Sequence, residues 1–321
     1  MKISPPAPPI RIGISACLLG QEVRFDGGHK RDAFLTDVLG PHVEWVPLCP
    51  EVEVGMGTPR ETLRLVRDDG VIRMVTTRTG VDHTERMSSW ASKRVGTLAR
   101  EDLDGYVLKK DSPSCGMERV KVYGATGPAS RDGRGLFAAA LLSGLPLVPV
   151  EEEGRLCDPR LRENFIERAF AYRRLKDLFA ARWTVGSLVA FHTSHKMSLL
   201  SHSTTAYQEL GRLVAGAAGR PRTELREQYA ELFMKTLALP ATVRRHTNVL
   251  MHMAGHLKSQ VDAESKRELA ACIDDYRTGL VPLVVPLTLI AHYVRVHDVK
   301  YLAGQTYLRP HPRELMLRNH V

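Results

Sequence analysis

The apolar residues of this chain change their period partway along it, and that change restricts the available folds more than any other feature. From residue 10 to 150 they come in short runs, at 10–15, 43–48, 106–109 and 145–150, each followed by a loop or turn signal. Between the runs, 30–39 and 87–100 have helical spacing, Thr84 offers an entry to the second, and 71–76 can add a strand. Strands alternating with helices predict a mostly parallel open sheet with helices on both faces. From Asp158 onward the spacing is helical. Asp158-Pro159 supplies an N-cap and a first helical position, and Leu161, Phe165, Ala169 and Tyr172 follow at helical spacing as far as Phe179. Further helices are expected over 187–201, 203–216, 222–238, 241–258, 262–277 and 286–303, punctuated by Gly and Pro. The predicted fold is α/β followed by an all-α C-terminal domain. The boundary is placed at about 180–186, giving domains 1–180 and 181–321.

Charge follows the same division. The chain carries 45 Lys+Arg against 36 Asp+Glu, a net +9. Up to residue 180 the count is 27 against 25, and beyond it 18 against 11, a net +7 in the shorter part. Ten of the thirteen histidines also lie beyond 180. A basic, His-rich half joined to a nearly neutral one suggests a division of labour; a solvated basic surface is the plain alternative to nucleic-acid binding. A content of 43% hydrophobic and 25% charged residues excludes wholesale disorder. The most apolar stretch, 280–296, is interrupted by Pro282, Pro286, His292 and Arg295, which excludes a spanning helix. Prolines at 5, 6, 8 and 9 break any signal-peptide apolar region, so a cytoplasmic protein is expected, without a membrane or an evident obligate protein partner.

Five cysteines, an odd number and widely spaced, point to reduced thiols, metal ligands or a nucleophile. Cys17 follows the run at 10–15 and Cys49 the run at 43–48; Cys115 follows the run ending near Lys109, after the turn Asp111-Ser112-Pro113-Ser114. In an open parallel sheet the crevice at the carboxyl ends of the strands is the ligand site, so the three can converge there. Three thiolates suit a soft metal or an iron–sulfur cluster, with one position left open to substrate. Inert buried thiols, or a single Cys nucleophile, satisfy the same spacing.

Three motifs then occur in order: Ser15-Ala16-Cys17-Leu18-Leu19-Gly20 with Val23-Arg24-Phe25-Asp26-Gly27; Cys49-Pro50-Glu51 running into Gly55-Met56-Gly57-Thr58-Pro59-Arg60-Glu61; and Lys109-Lys110-Asp111-Ser112-Pro113-Ser114-Cys115-Gly116. Together they resemble the thiouracil desulfidase family over roughly residues 8–175, with Phe25 in place of an expected Tyr. Residues 185–321 look like a helical domain often fused to it, marked by Phe191-His192-Thr193-Ser194-His195-Lys196, Leu210-Gly211-Arg212-Leu213-Val214, Tyr301-Leu302 and Gln305-Thr306-Tyr307-Leu308. The combination is similar to bacterial tRNA 4-thiouridine desulfidases. The resemblance implies a [4Fe-4S] cluster held by Cys17, Cys49 and Cys115, with the fourth iron free to bind the thiocarbonyl sulfur. Water attacks the ring carbon and sulfide leaves, with no net redox. Glu51 is the implied general base, and Ser112 orients the water or the base's polar edge. Cys157 and Cys272 match no motif and are expected to be structural.

In the helical half, residues 241–258 place Val243, Thr247, Leu250, Met251, Ala254 and Leu257 on one side, and Arg244, Arg245, Asn248, His252 and His256 on another. His252 and His256 have the i, i+4 spacing of zinc ligands but lack the glutamate and third ligand of a zinc motif. His192, His195, Lys196 and His202 form a second polar group; Arg212 and Arg295 add cations, and Tyr293 and Tyr307 are candidates for base stacking. These residues make tRNA carrying 4-thiouridine the expected partner, its base extruded into the cysteine crevice. The alternatives are salvage of free thionucleobases such as 2-thiouracil, a non-catalytic iron–sulfur RNA-binding sensor, and a Cys hydrolase without a cluster.

Overall fold

The computed structural model describes residues 9–124, 127–180 and 182–321; the proline-rich start at 1–8 lies outside them. The chain divides into two compact units, Met1–Cys157 and Asp158–Val321. The boundary expected near 180 therefore falls one long helix earlier. That helix, α4 in the chain-order numbering used here (Pro159–Ala180), buries Phe165, Ile166 and Ala169 within the second unit. It is also tied there by polar bonds: Asn164 Nδ2 donates to the Leu237 carbonyl at 2.9 Å, and Arg318 Nε to Glu163 at 2.9 Å.

The first unit contains two four-stranded sheets. One has the order β2-β1-β5-β8, formed by β1 (Ile10–Ser15), β2 (Val43–Leu48), β5 (Gly105–Leu108) and β8 (Val150–Glu152), all parallel. The chain runs from β1 outward to β2, then returns to lay β5 on the other side of β1. That reversal of direction opens a crevice at the carboxyl ends of the strands. The run at 145–150 becomes strand only at its end, since Pro146 and Pro149 have no N–H to give to a ladder. The helical stretch at 30–39 narrows to a single wide turn over Phe34–Leu39, and 87–100 is the helix α2 (Thr84–Leu98).

The second sheet departs from expectation, since only its strand at 71–76 is announced by the sequence. It has the order β4-β3-β6-β7, from β3 (Leu63–Asp68), β4 (Val71–Thr76), β6 (Val120–Tyr123) and β7 (Ser130–Gly133). β3 pairs antiparallel with β4 and parallel with β6, and β6 pairs antiparallel with β7. Leu65, Met74, Val120 and Val122 pack with Met87 and Trp90 of α2, so this sheet has one covered face. The other side of α2, with α3 (Leu136–Gly144), covers the parallel sheet through Ala91, Val95, Tyr106, Leu108, Phe137 and Leu141. A short helix, α1 (Pro50–Glu53), leaves β2 directly.

The second unit continues as α5 (Val185–His202), α6 (Thr204–Ala215), α7 (Arg222–Leu237), α8 (Val243–Leu257), α9 (Ala263–Thr278), α10 (Val284–Val296) and α11 (Lys300–Ala303). The helix expected over 286–303 breaks at Asp298, whose left-handed φ of 48° ends the ladder. Among the described residues no helix is long and apolar enough to cross a membrane.

Four of the ten histidines of the second unit, His192, His195, His202 and His246, belong to its core. His192, His195 and His202 are buried on α5, so the polar group expected around Lys196 does not form. The His195 ring stacks on Phe191 at 4.1 Å and its Nε2 accepts from Arg174 at 3.3 Å; His246 Nδ1 meets the Tyr307 hydroxyl at 2.7 Å. Burial lowers His192 and His246 to about 4 and His195 to about 3, with Lys196, Arg318 and Arg174 as the respective assisting cations. Burial alone would lower His202 too, but the hydrogen bond and charge of Glu167 raise it above the ordinary histidine value. The unfolded chain thus binds more protons than the folded one below about pH 6.5, the ordinary histidine value. Thermal stability is expected to fall as pH drops from about 6.5 toward 4.5, by about 1.4 kcal/mol per pH unit for each of His192, His195 and His246. Calorimetry across that window checks it. An unchanged melting temperature would place these rings in water.

Candidate active site

Because β2, β1 and β5 are adjacent and parallel, the segments leaving their carboxyl ends lie side by side. Cys17 sits in the tight turn Ala16–Leu19 directly after β1. Cys49 follows β2 and precedes the first turn of α1. Cys115 closes the loop after β5. All three line one cavity of about 350 Å³, together with Glu51, Ser112, Arg60 and Lys109. The loop that delivers Cys115 is held by its own serine: Ser112 Oγ accepts from the Cys115 N–H at 3.1 Å and the Ser114 N–H at 3.3 Å. Two glycines allow the backbone to close around it. A Cβ on Gly116 would lie 2.8 Å from the Ser112 carbonyl oxygen, and one on Gly135 would lie 2.4 Å from that of Ser114.

Glu51 is nearly buried on α1 and is positioned from three sides. The Ser114 hydroxyl donates to Oε1; Cys49 Sγ donates to Oε2 at 3.3 Å, and Arg60 Nη2 lies 3.7 Å from Oε2. Arg60 Nη1 in turn donates to the carbonyls of Val23 and Gly57, both at 2.9 Å, which fixes its cation beside the carboxylate. Ser112 Oγ lies 2.9 Å from Ser114 Oγ, so the two hydroxyls form a chain ending on Glu51. Ser112 therefore touches the carboxylate through Ser114. Ser114 itself, fully buried, was missed in the sequence; its signal was its place immediately before Cys115. Directly after β8, Glu153 takes Lys109 Nζ and the Lys110 N–H, which ties the loop after β5 to the end of that strand.

The three thiols are poor acids as they stand. Burial pushes Cys17 up to about 11, with Lys109 opposing, and burial with the Glu51 charge pushes Cys49 up to about 12. Burial and Glu51 also raise Cys115 well above the ordinary thiol value. Among the described residues no histidine lines the cavity, and burial outweighs the lowering by Lys109 at Cys17 and by Arg60 at Cys49, so neither thiol is activated as a lone nucleophile. Cys157 is exposed and Cys272 half-buried on α9, and neither lines the cavity.

A second cavity, of about 800 Å³, lies within the helical unit. Lys196, Arg244, Arg245, His252 and His256 line it, and among the described residues no carboxylate does. Tyr207 and Tyr301 supply its aromatic surface, with the Tyr301 ring 4.9 Å from that of His256. The tyrosines expected to stack are elsewhere. Tyr307 is fully buried beneath the Arg318 guanidinium and Tyr293 is buried in the core. His195 is enclosed in the core as well, whereas Arg212 and Arg295 are exposed on α6 and α10 without lining this cavity. Met251, expected on the packed side of α8, is 53% exposed; His246, Val249 and Met253 form the buried stripe with Leu250 and Leu257.

An α/β domain with three cysteines gathered at one switch point is the class defined by this fold and site. Residues 12–153 match the 2-thiouracil desulfurase family, and residues 196–312 match a protein family of unknown function, DUF1722. The first unit thus carries a 2-thiouracil desulfurase domain and the second the DUF1722 domain. It is 35% identical over 161 residues to the uncharacterized protein YbgA of Escherichia coli (strain K12), spanning 50% of this chain and 95% of that protein. It is 29% identical over 134 residues to the uncharacterized protein YbbK of Bacillus subtilis (strain 168), spanning 40% of this chain and 87% of that one. Among solved structures it is similar to the [4Fe-4S]-dependent thiouracil desulfidase TudS, at 32% identity and a TM-score of 0.39, over 46% of this chain and 94% of that one.

Proposed function

We propose that this protein is an iron–sulfur desulfidase that converts 4-thiouridine in tRNA to uridine and releases sulfide. The observation that carries the reading is the gathering of Cys17, Cys49, Cys115 and Glu51 on one cavity, in a unit of the 2-thiouracil desulfurase family. The donor set fits a cluster better than a single ion. Among the described residues no three His, Cys, Asp or Glu side chains are grouped to hold one metal ion. Thiolates on a four-iron cluster bind separate iron atoms and need no such grouping. Three neighbouring thiols are a soft donor set of the kind that iron–sulfur clusters take, and ligation would displace their protons. Cys17, Cys49 and Cys115 would hold the cluster.

When bound, a cluster with one unligated iron supplies a Lewis acid for the thiocarbonyl sulfur. The chain supplies the proton chemistry. Glu51 accepts the proton of the attacking water at Oε2, which Ser114 does not engage and which Cys49 no longer engages once its thiol proton is lost to ligation. Arg60 holds that carboxylate in place. A C–O bond forms, the C–S bond breaks, and water plus thiocarbonyl become carbonyl plus hydrogen sulfide, so no outside oxidant or reductant enters. The basic cavity of the helical unit is suited to the tRNA backbone, with Tyr207 and Tyr301 as stacking surfaces.

Anaerobic incubation of the iron-loaded protein with thiolated tRNA, followed by nucleoside analysis, tests the reading. Uridine should replace 4-thiouridine with one sulfide released per base. Equal turnover of free thiouracil and of tRNA would favour salvage; iron and tRNA affinity without sulfide would favour a sensor. Arg244→Ala with Arg245→Ala is expected to weaken tRNA binding and leave iron content unchanged. It should also flatten the dependence of affinity on salt by about 0.7–0.9 for each phosphate that is no longer neutralised. An unchanged slope would remove this cavity from the RNA site.

A further inference from the structure

The open face of the second sheet begins at the rim of the cysteine cavity. A groove of about 640 Å³ runs over it, and Thr62, Leu63, Asp111 and Pro113 line both the groove and the cavity. Leu65 and Val122 point to the covered side of the sheet, so the alternation of strands β3 and β6 turns Arg64, Lys121 and Tyr123 to the other side. The Arg64 guanidinium stands 5.5 Å from the centre of the Tyr123 ring, and that ring is 37% exposed. Arg131, also lining the groove, reaches Asp111 at 3.7 Å and so links the groove to the loop that carries Cys115.

The charges of this groove differ from those around it. Arg67 is neutralised by Asp132, and Arg73 by Asp68 and Asp82. Among the described residues Arg64 and Lys121 have no carboxylate within ion-pair distance, and the Arg64 Nε is buried without a hydrogen-bond partner. The lining holds three cations, Arg64, Lys121 and Arg131, against one carboxylate, Asp111. Unpaired cations beside an exposed ring on an open sheet face match a nucleic-acid strand, whose phosphates need cations and whose bases need a flat apolar partner.

We propose that this groove is a subsite for the nucleotide next to the thiolated one, with Arg64 and Lys121 on its phosphodiester and Tyr123 under its base. The proposal rests on the reading that the cysteine cavity takes a thiolated uracil. It makes the first unit, independently of the helical one, prefer a base held in a strand over a free base. The cavity holds the reacting base, and the shared wall at Thr62, Leu63, Asp111 and Pro113 brings the next nucleotide onto the sheet.

The test compares the nucleoside 4-thiouridine with a triuridylate carrying 4-thiouridine in the middle, using the full-length iron-loaded protein. The wild type should show a lower KM for the trinucleotide than for the nucleoside. Tyr123→Leu and Lys121→Gln, both at exposed positions, should each raise the trinucleotide KM, by about tenfold for the ring. Their constants for the nucleoside should stay within about twofold of wild type, since an aromatic platform outside the cavity contributes nothing to a lone base. Equal KM for the two substrates in the wild type, or equal loss on both in the variants, overturns the subsite. If neither compound is desulfurated, thiolated tRNA decides the thiobase reading, which fails if that substrate is also left intact. The groove is then judged by binding of plain triuridylate, which contains no sulfur: weaker binding by Tyr123→Leu and Lys121→Gln supports the subsite, and unchanged binding overturns it.

Discussion

Cys17→Ala, Cys49→Ala and Cys115→Ala are each expected to abolish sulfide release and to lower iron content, whereas Cys157→Ala and Cys272→Ala should leave both near wild type. The separation follows from position. The first three line one cavity at the carboxyl ends of adjacent parallel strands; Cys157 is exposed, and Cys272 lies on α9 in the other unit. Alanine in place of a buried thiol also tests folding, because a small side chain replacing Cys115 leaves the loop bonds made by Ser112 intact. Unchanged secondary structure with lost iron would assign the effect to ligation. Iron and turnover measured for all five variants decide the matter, and full activity after loss of any one of the first three would sink the three-ligand arrangement.

Glu51→Gln should keep the iron and lose about 10²–10⁴-fold in turnover, the usual contribution of a positioned general base. Glutamine preserves shape and can still accept from the Ser114 hydroxyl, so the loss reports proton acceptance. Ser114→Ala removes the hydrogen bond that orients Oε1 and should cost less, about 10–100-fold, as expected for a bond to a charged group. Ser112→Ala acts one hydroxyl further away and also loosens the turn before Cys115. It should therefore lower iron retention along with turnover. Normal turnover in Glu51→Gln would reduce this carboxylate to a partner of Arg60.

Which parts of the molecule could be read from the chain follows from the range of the forces involved. The strands β1 and β2 were legible because short apolar runs bounded by turn residues are a local signal, and both begin and end where the sequence places them. The cysteines were legible as a site because each follows such a run. Helical spacing after Asp158 was legible for the same local reason, to within a few residues at each end. The second sheet was not. Two of its strands are only four residues long, and the pairing that joins its two hairpins, β3 to β6, spans α2, so the sequence announces only the strand at 71–76.

The remaining assignments were matters of packing. Whether α4 belonged to the first or second unit depended on Glu163 and Asn164 finding Arg318 and the Leu237 carbonyl, partners 155 and 73 residues away. Helical periodicity put His195 beside Lys196 but could not say that His195 would stack on Phe191 inside the core while Lys196 faced a cavity. The same limit exchanged the tyrosines, burying Tyr307 and exposing Tyr301. Ser114 became part of the site only when the loop after β5 carried it to Glu51, 63 residues earlier in the chain. Residue identity and the few positions on either side settle which side chains have the chemistry and where the chain turns. Which of them meet, and which are shut from water, is settled by the folded molecule, because burial is a property of the packed chain as a whole.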